Sequence, residues 1–497
     1  MNPTTRGRRT VSFGLVAGLC VAAAVNGCRS GGDDATPAPA APAPASTPGP
    51  AAPAKTTITF AEAQPITVAL QRQLPAELKN LRLPDLERVW PDWTARHNAA
   101  IRQRLERGDE DSVVNFWLYG TSFTSRPRAT GREIAVIAGR DGAEALLIGR
   151  LDDLVAALVS PGANDRLRFA RHVIERRGIN LATPSGQDQA RDTLVTLRAR
   201  MIAEHERYRR VFASASLLDD AAKLAAYADV YRDRGLSSDT SLAADFAVEQ
   251  ALAAIAAKGL VATGTVRRVA IVGPGLDFAD KAEGYDFYPQ QTIQPFAIVD
   301  TLLRLRLATA NDLALTTFDV SPRVNQHLDA ARERARRGDG YLIHLPLDDD
   351  TPARQWTPDL FQYWSGFADR IAAPDVGVAS PPGLSGVRVR AVRVRSDVVT
   401  AIVPIDLNIV LERLTLPEAE RFDLVVATNV LVYYDAFEQG LAVANIAAML
   451  RPGGYFVTNY AVQPRPPFEP AARLTTRVFW DRQGNGDTLL AYRRGTQ

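Results

Sequence analysis

The stretch VRRVAIVGPGLDFADK, residues 266–281, constrains the fold of this chain more than any other. Residues 267–272 read as a short buried strand with β-branched side chains, and Gly273-Pro274-Gly275 lets the backbone turn sharply and approach a ligand without Cβ interference. A strand running into a glycine turn is how an open parallel sheet makes a nucleotide-binding crevice at its carboxyl edge. Glycines after an apolar run also occur in ordinary turns, so the residues that follow decide between the two readings.

They come in an informative order. Residues 276–292, rich in Asp, Tyr and Gln, read as a long loop before the helix that opens at Gln294-Pro295. Residues 313–320 read as a second strand ending in Asp319, and Ser321-Pro322 opens an Arg- and Ala-rich helix with Ser as N-cap and Pro at its first position. An acidic residue at the end of the second strand is what a Rossmann-like crevice uses to accept hydrogen bonds from ribose hydroxyls. The missing third glycine argues against a dinucleotide. Residues 398–404 read as another strand, followed by Ile405-Asp406-Leu407-Asn408. Residues 422–435 read as a fourth buried strand ending in a polar turn, and Asp435 can cap a helix over 436–450. Arg451-Pro452-Gly453-Gly454 stops that helix, 455–459 gives a fifth strand, and 474–480 with 488–493 read as a β-hairpin.

Five alternating βα units closed by a hairpin resemble a class I S-adenosylmethionine-dependent methyltransferase. TNVLVYYD followed by LRPGGYFV, with QPFAIVDTLL and TTFDVSPRV, resembles the CheR-type chemotaxis receptor methyltransferases over roughly residues 266–460. The resemblance implies an α/β, Rossmann-like sheet with a C-terminal β-hairpin and S-adenosyl-L-methionine as cofactor. It implies that Gly273, Pro274 and Gly275 pass the methionine portion, that Asp319 binds the ribose, and that Asp406, Leu407 and Asn408 face the adenine. Asn429 and Val430 would hold the donor near the acceptor, with Asn429 and Tyr433 as catalytic candidates and Tyr285, Tyr288 and Tyr434 further acceptor-side candidates. The chain also departs from the family. Thr428 stands where an arginine is expected, residues 277–292 have no counterpart, and about 341–395 is an insertion. The donor site therefore carries over and the receptor-glutamate substrate does not. The acceptor stays unknown, with a protein carboxylate among the candidates.

The rest of the chain reads differently. Residues 57–260 form a mainly helical domain ahead of the methyltransferase-like 261–497, with helical periodicity over 85–106, 146–159, 165–177, 187–210, 216–234 and 241–258. Ser216 with Asp219 resembles a capping box. The aromatic run Asn115-Phe116-Trp117-Leu118-Tyr119 either lines a pocket or ends a helix and fills a core. In VRVRAVRVR, Arg388, Arg390, Arg393 and Arg395 mark an exposed strand face, and the changed spacing after Arg390 suggests a bulge.

At the N-terminus, Arg6, Arg8 and Arg9 precede an apolar run over 11–25 that is too short for a stable membrane span and has the layout of a secretory signal over 1–28. It ends in Val25-Asn26-Gly27-Cys28, which resembles a bacterial lipobox and implies lipidation of Cys28. Residues 29–56 are an Ala/Pro-rich linker. The chain is thus expected to be an exported lipoprotein, held at the membrane of a bacterial cell envelope by its lipid. Of the two cysteines, Cys20 lies inside the signal, so the mature part has neither disulfide nor thiolate site. The five histidines lack metal-ligand spacing, and no metal is expected. A net charge of +2 without a dense basic tract does not indicate a nucleic-acid partner. Because the methyl donor is made in the cytoplasm, the rival expectation is an exported lipoprotein that uses a non-catalytic methyltransferase fold for binding or scaffolding.

Overall fold

A computed structural model describes residues 54–128, 141–215, 230, 235–240, 242–278, 286, 288–348, 356–373, 387–461, 468–482 and 484–495. The predicted signal with Cys28, residues 29–53 of the predicted linker, the Ser216/Asp219 pair and Tyr285 lie outside them. In chain order the first elements are β1 (Lys55–Thr57), α1 (Phe60–Ala69), α2 (Ala76–Lys79), α3 (Leu83–Tyr119), α4 (Asp141–Val159), α5 (Asp165–Glu175), α6 (Pro184–Ala215) and α7 (Leu242–Ala257). There follow β2 (Arg268–Val272), α8 (Gln294–Arg304), β3 (Ala314–Asp319), α9 (Pro322–Arg336), β4 (Tyr341–Asp348), α10 (Pro358–Gly366), β5 (Val387–Val394), α11 (Ser396–Ala401), β6 (Ile402–Asp406) and β7 (Glu412–Leu414). The last are β8 (Phe422–Ala427), α12 (Ala436–Met449), β9 (Leu450–Thr458), β10 (Phe468–Phe479) and β11 (Gly486–Arg494).

Seven strands form the central sheet in the order β10-β11-β9-β8-β2-β3-β6. The pairs β2–β3, β2–β8, β3–β6 and β8–β9 are parallel, while β11 runs antiparallel to both β9 and β10. This is the Rossmann-like methyltransferase sheet with its C-terminal hairpin. Side chains alternate across it. Val269, Ile271, Leu424 and Val426 pack with α7, α8 and α9 on one face, and Ala270, Val272, Val425 and Ala427 pack with α1, the first half of α3 and α12 on the other. Burial on both faces is why these strands read as continuous apolar runs.

Packing divides the chain elsewhere than at residue 260. Ile58, Phe60, Trp90, Trp93 and Ile101 belong to the same core as Phe437 and Phe318 of the sheet half. A separate core joins the end of α3 to α4, α5 and α6 and takes in Phe278. Phe116 and Trp117, almost wholly buried, are in it, so the aromatic run ends a helix and fills a core. β1 also crosses between the halves, pairing antiparallel with β7 through Lys55↔Leu414 and Thr57↔Glu412.

Three local expectations are corrected. Residues 398–404 are not one strand: α11 ends at Ala401 and β6 starts at Ile402. Val398 and Val399 are β-branched, yet helical backbone lets both bury in the core beside α9, a tertiary override of propensity. No bulge interrupts VRVRAVRVR, because β4 and β5 pair without a register shift from Tyr341↔Val394 to Asp348↔Val387. The altered spacing reflects burial of both Ala391 and Val392. Ser321 occupies the N-cap of α9 but makes no side-chain cap, and its N–H donates instead to Asp319 Oδ1 at 2.8 Å. The cap assigned to Asp435 is present: Oδ1 accepts from the N–H groups of Phe437 and Glu438, and Glu438 Oε2 accepts from Asp435 N–H at 2.8 Å.

Candidate functional site

The strand order brings the sequence-predicted donor residues together at the carboxyl ends of β8, β2, β3 and β6. Gly273 and Gly275 both take positive φ, +66° and +64°, which a side chain would strain. Gly273 N–H donates to Phe318 O at 2.8 Å, extending the ladder beyond β2. A Cβ on Gly273 would sit 2.5 Å from Val430 Cγ2, so Val430 of the β8 loop lies directly on the turn. Asp319 ends β3 and pairs in register with Asp406, which ends β6. Burial pushes the Asp319 carboxyl up to about 7, opposed by the N–H of Ser321, the Arg323 charge and the N–H of Gly275.

The helical half roofs this edge. Arg102 of α3 pairs with Asp406 at 2.7 Å and donates to Val320 O at 3.5 Å. Two residues on, Arg104 donates to Tyr433 O, lies 3.8 Å from Glu438 and sits over the Tyr434 ring. Residues 236–240 then run along the glycine turn. Leu236 N–H donates to Arg104 O, Leu276 N–H to Ser238 O at 2.8 Å, and Thr240 N–H to Leu276 O at 2.9 Å. A Cβ on Gly108 would collide with Leu236 O at 1.8 Å, which is how α3 and this segment come so close. Nothing local in the sequence marks Arg102, Arg104 or residues 236–240 as part of the site.

Several buried polar atoms beside the turn are left over. None of the three guanidinium nitrogens of Arg323 makes a hydrogen bond, and the nearest carboxylate, Asp239, is 3.6 Å away. Ser238 Oγ is also buried without a hydrogen bond, while Asp239 pairs with Arg323 through Oδ1 and accepts from Ser112 Oγ through Oδ2 at 2.9 Å. Such groups are costly to leave unmade. The Arg323 guanidinium is stacked over the Phe169 ring, 4.1 Å from its centroid, and its charge bears on Asp319.

Other predicted residues are already engaged. Asn408 is wholly buried; its Oδ1 accepts from Val410 N–H and its Nδ2 donates to Asn98 Oδ1 at 3.0 Å. Leu407 is core. Tyr288 is also interior rather than on the acceptor side, its hydroxyl donating to Asp277 Oδ2 at 2.6 Å and its ring stacked on His344. Tyr433 is half-buried and Tyr434 fully buried, the latter with its hydroxyl pKa pushed up by burial.

The rim of the edge continues at Thr428. Gln294, the first residue of α8, donates through Nε2 to Thr428 Oγ1 at 2.8 Å. Exposed Asn429 adopts φ +58° and is clasped by Asn459, whose Oδ1 accepts from Asn429 N–H and whose Nδ2 donates to Asn429 Oδ1 at 2.6 Å. Asn459 Nδ2 also reaches the Asp487 carboxylate, which burial raises above its ordinary pKa. Among the described residues no three His, Cys, Asp or Glu side chains converge as a metal ion would require.

No family model and no curated protein matches this chain. Solved structures do. The N-methyltransferase NodS from Bradyrhizobium japonicum WM9, in complex with S-adenosyl-L-homocysteine, shares 14% identity over 58% of this chain and 98% of its own, with a TM-score of 0.25. The magnesium protoporphyrin IX methyltransferase from Synechocystis PCC 6803, with bound SAM, shares 9% over 59% and 91%, with a TM-score of 0.24. An O-methyltransferase family protein from Burkholderia thailandensis shares 11% over 84% and 99%, with a TM-score of 0.22. At such scores the fold assignment stands on the strand order and not on these overlays.

Proposed function

We propose that this chain is an S-adenosylmethionine-dependent methyltransferase whose donor lies at the carboxyl edge of β2 and β3. The observation that supports this most is the joint between the glycine turn and the end of β3, where the Asp319 carboxyl accepts from the N–H of Gly275. Asp319 would accept from the ribose hydroxyls, and the glycine turn would pass the methionine portion. The donor supplies an electrophilic methyl group, and the task left to the protein is alignment and exclusion of water. On the acceptor-side rim, exposed Asn429 has its N–H and Oδ1 held by Asn459, which leaves its Nδ2 to donate to an acceptor such as a carboxylate, which needs no general base. Calorimetry on residues 54–497 with S-adenosylmethionine and S-adenosylhomocysteine tests the reading. Saturable binding supports it, and folded protein that binds neither at millimolar concentration removes it.

A second reading has its own support. Arg102 already holds Asp406, and Asn98 already holds Asn408, so the chain itself engages the adenine side of the edge. That favours a binding or scaffolding protein that keeps the fold without turnover. Mass spectrometry of the purified, unsupplemented protein for S-adenosylmethionine or its demethylated product separates the two. We further propose export and lipid anchoring through Cys28, from the order of basic residues, apolar run and cysteine in the first 28 residues.

A further inference from the structure

The clasp on Asn429 has a third member. Asn429 follows β8 with a φ of +58°, a region that side chains strain to enter and that asparagine tolerates better than most. Its N–H donates to Asn459 Oδ1 at 2.9 Å, and its Oδ1 accepts from Asn459 Nδ2 at 2.6 Å. The second proton of that Nδ2 is shared between the two carboxylate oxygens of Asp487, at 3.4 and 3.3 Å. Every polar atom of the Asn459 side chain is thereby committed, and its amide cannot be reversed without setting Nδ2 against the Asn429 N–H.

Strand register explains how a hairpin residue reaches this rim. β9 and β11 pair through Leu490↔Thr458, so the next step sets Asn459 opposite Leu489 and makes Asp487 its diagonal neighbour on the same face. The Asp487 side chain is not what holds the hairpin turn. There Asp481 accepts from the N–H of Asn485 at 2.8 Å and from its Nδ2 at 2.6 Å. Burial raises the Asp487 carboxyl above its ordinary pKa, and what opposes burial is the Asn459 amide and the Thr488 N–H, neither of them a cation. A half-buried carboxylate held only by neutral donors is a poor stabiliser of a hairpin, so its position answers to Asn459.

We propose that Asp487 is a positioning residue of the methyl-transfer site: through Asn459 it holds Asn429 in its left-handed backbone, with Oδ1 turned in and Nδ2 left for the acceptor. This role rests on the proposed donor site and extends it to the C-terminal hairpin.

Nuclear magnetic resonance of the full-length protein carrying isotope-labelled asparagine follows hydrogen exchange at the Asn429 N–H, with the Asn445 N–H inside α12 as the reference. Calorimetry follows the affinity for S-adenosylmethionine. Asp487→Leu removes the acceptor from Asn459; it should speed exchange at Asn429 about tenfold and weaken donor binding roughly fivefold. Asp487→Asn keeps one oxygen for Asn459 and should stay within about twofold of wild type in both measurements. A role confined to hairpin stability would leave exchange at Asn429 unmoved. Circular dichroism checks that both variants are folded. Wild-type protein that binds no donor overturns the methyltransferase reading and this role together, and is tested before any variant is made. Folded Asp487→Leu that keeps wild-type exchange at Asn429, or wild-type donor affinity, overturns the role of Asp487 alone.

Discussion

Gly275 and Ser238 are in backbone contact: a Cβ on Gly275 would come within 2.9 Å of the Ser238 carbonyl oxygen. Residues 236–240 come from the helical half, so the glycine turn is shaped as much by its cover as by its own φ of +64°.

Gly275→Ala should therefore cost more than a positive φ alone. Gly162 has φ +55° with nothing within 4 Å of its Cβ position, so Gly162→Ala isolates the backbone strain, about 1–2 kcal/mol. Chemical denaturation should show Gly275→Ala clearly less stable than Gly162→Ala. Equal losses would mean that residues 236–240 yield freely.

Asp319→Ala should weaken donor binding by about 1.5–3 kcal/mol, the range for hydrogen bonds to a charged group. Calorimetry reads this directly, and an unchanged affinity would place the ribose elsewhere.

The raised pKa of Asp319 makes two pH dependences run in opposite directions. Because the folded value, about 7, lies above the ordinary aspartate value of 3.8, the stability linked to this group is fully present below about pH 4 and is lost as pH climbs towards 7. Donor binding needs the carboxylate, so affinity should rise between pH 6 and 8, by up to about tenfold per unit below the pKa. Asp300 and Asp245, pushed up to about 6 and about 8, titrate across the same span. The measurement is thus the difference between wild type and Asp319→Asn, which should lose both slopes if Asp319 causes them.

Cys28→Ser should release the protein from membranes or leave its signal unprocessed, read by fractionation and by the mass of the N-terminal peptide. Wild-type protein that stays in the cytoplasm with Met1 intact contradicts export.

What was legible in the sequence was local. The buried strand ahead of Gly273 follows from its apolar, β-branched run, the Asp435 cap from one residue and its neighbours, and Asp319 from its place at a strand end. The roof of the site was not legible. Arg102 meets Asp406 and Arg104 meets Tyr433 across some three hundred residues, a separation that leaves no periodicity to read. Asn408 shows the same limit from the other side. Its position after β6 was correct, but the engagement of its amide by Asn98 depends on how a distant helix packs.

The three-residue pairing of β1 with β7 has a mechanical consequence. β1 begins at Lys55, whose Nζ donates to Asp406 O at 3.0 Å, on the rim that carries the end of β6. Tension applied at the start of β1 is delivered at that rim and not at the far end of the sheet. β1 is then the first element to bear load, and the Arg102–Asp406 clasp beside it is the first to feel it peel.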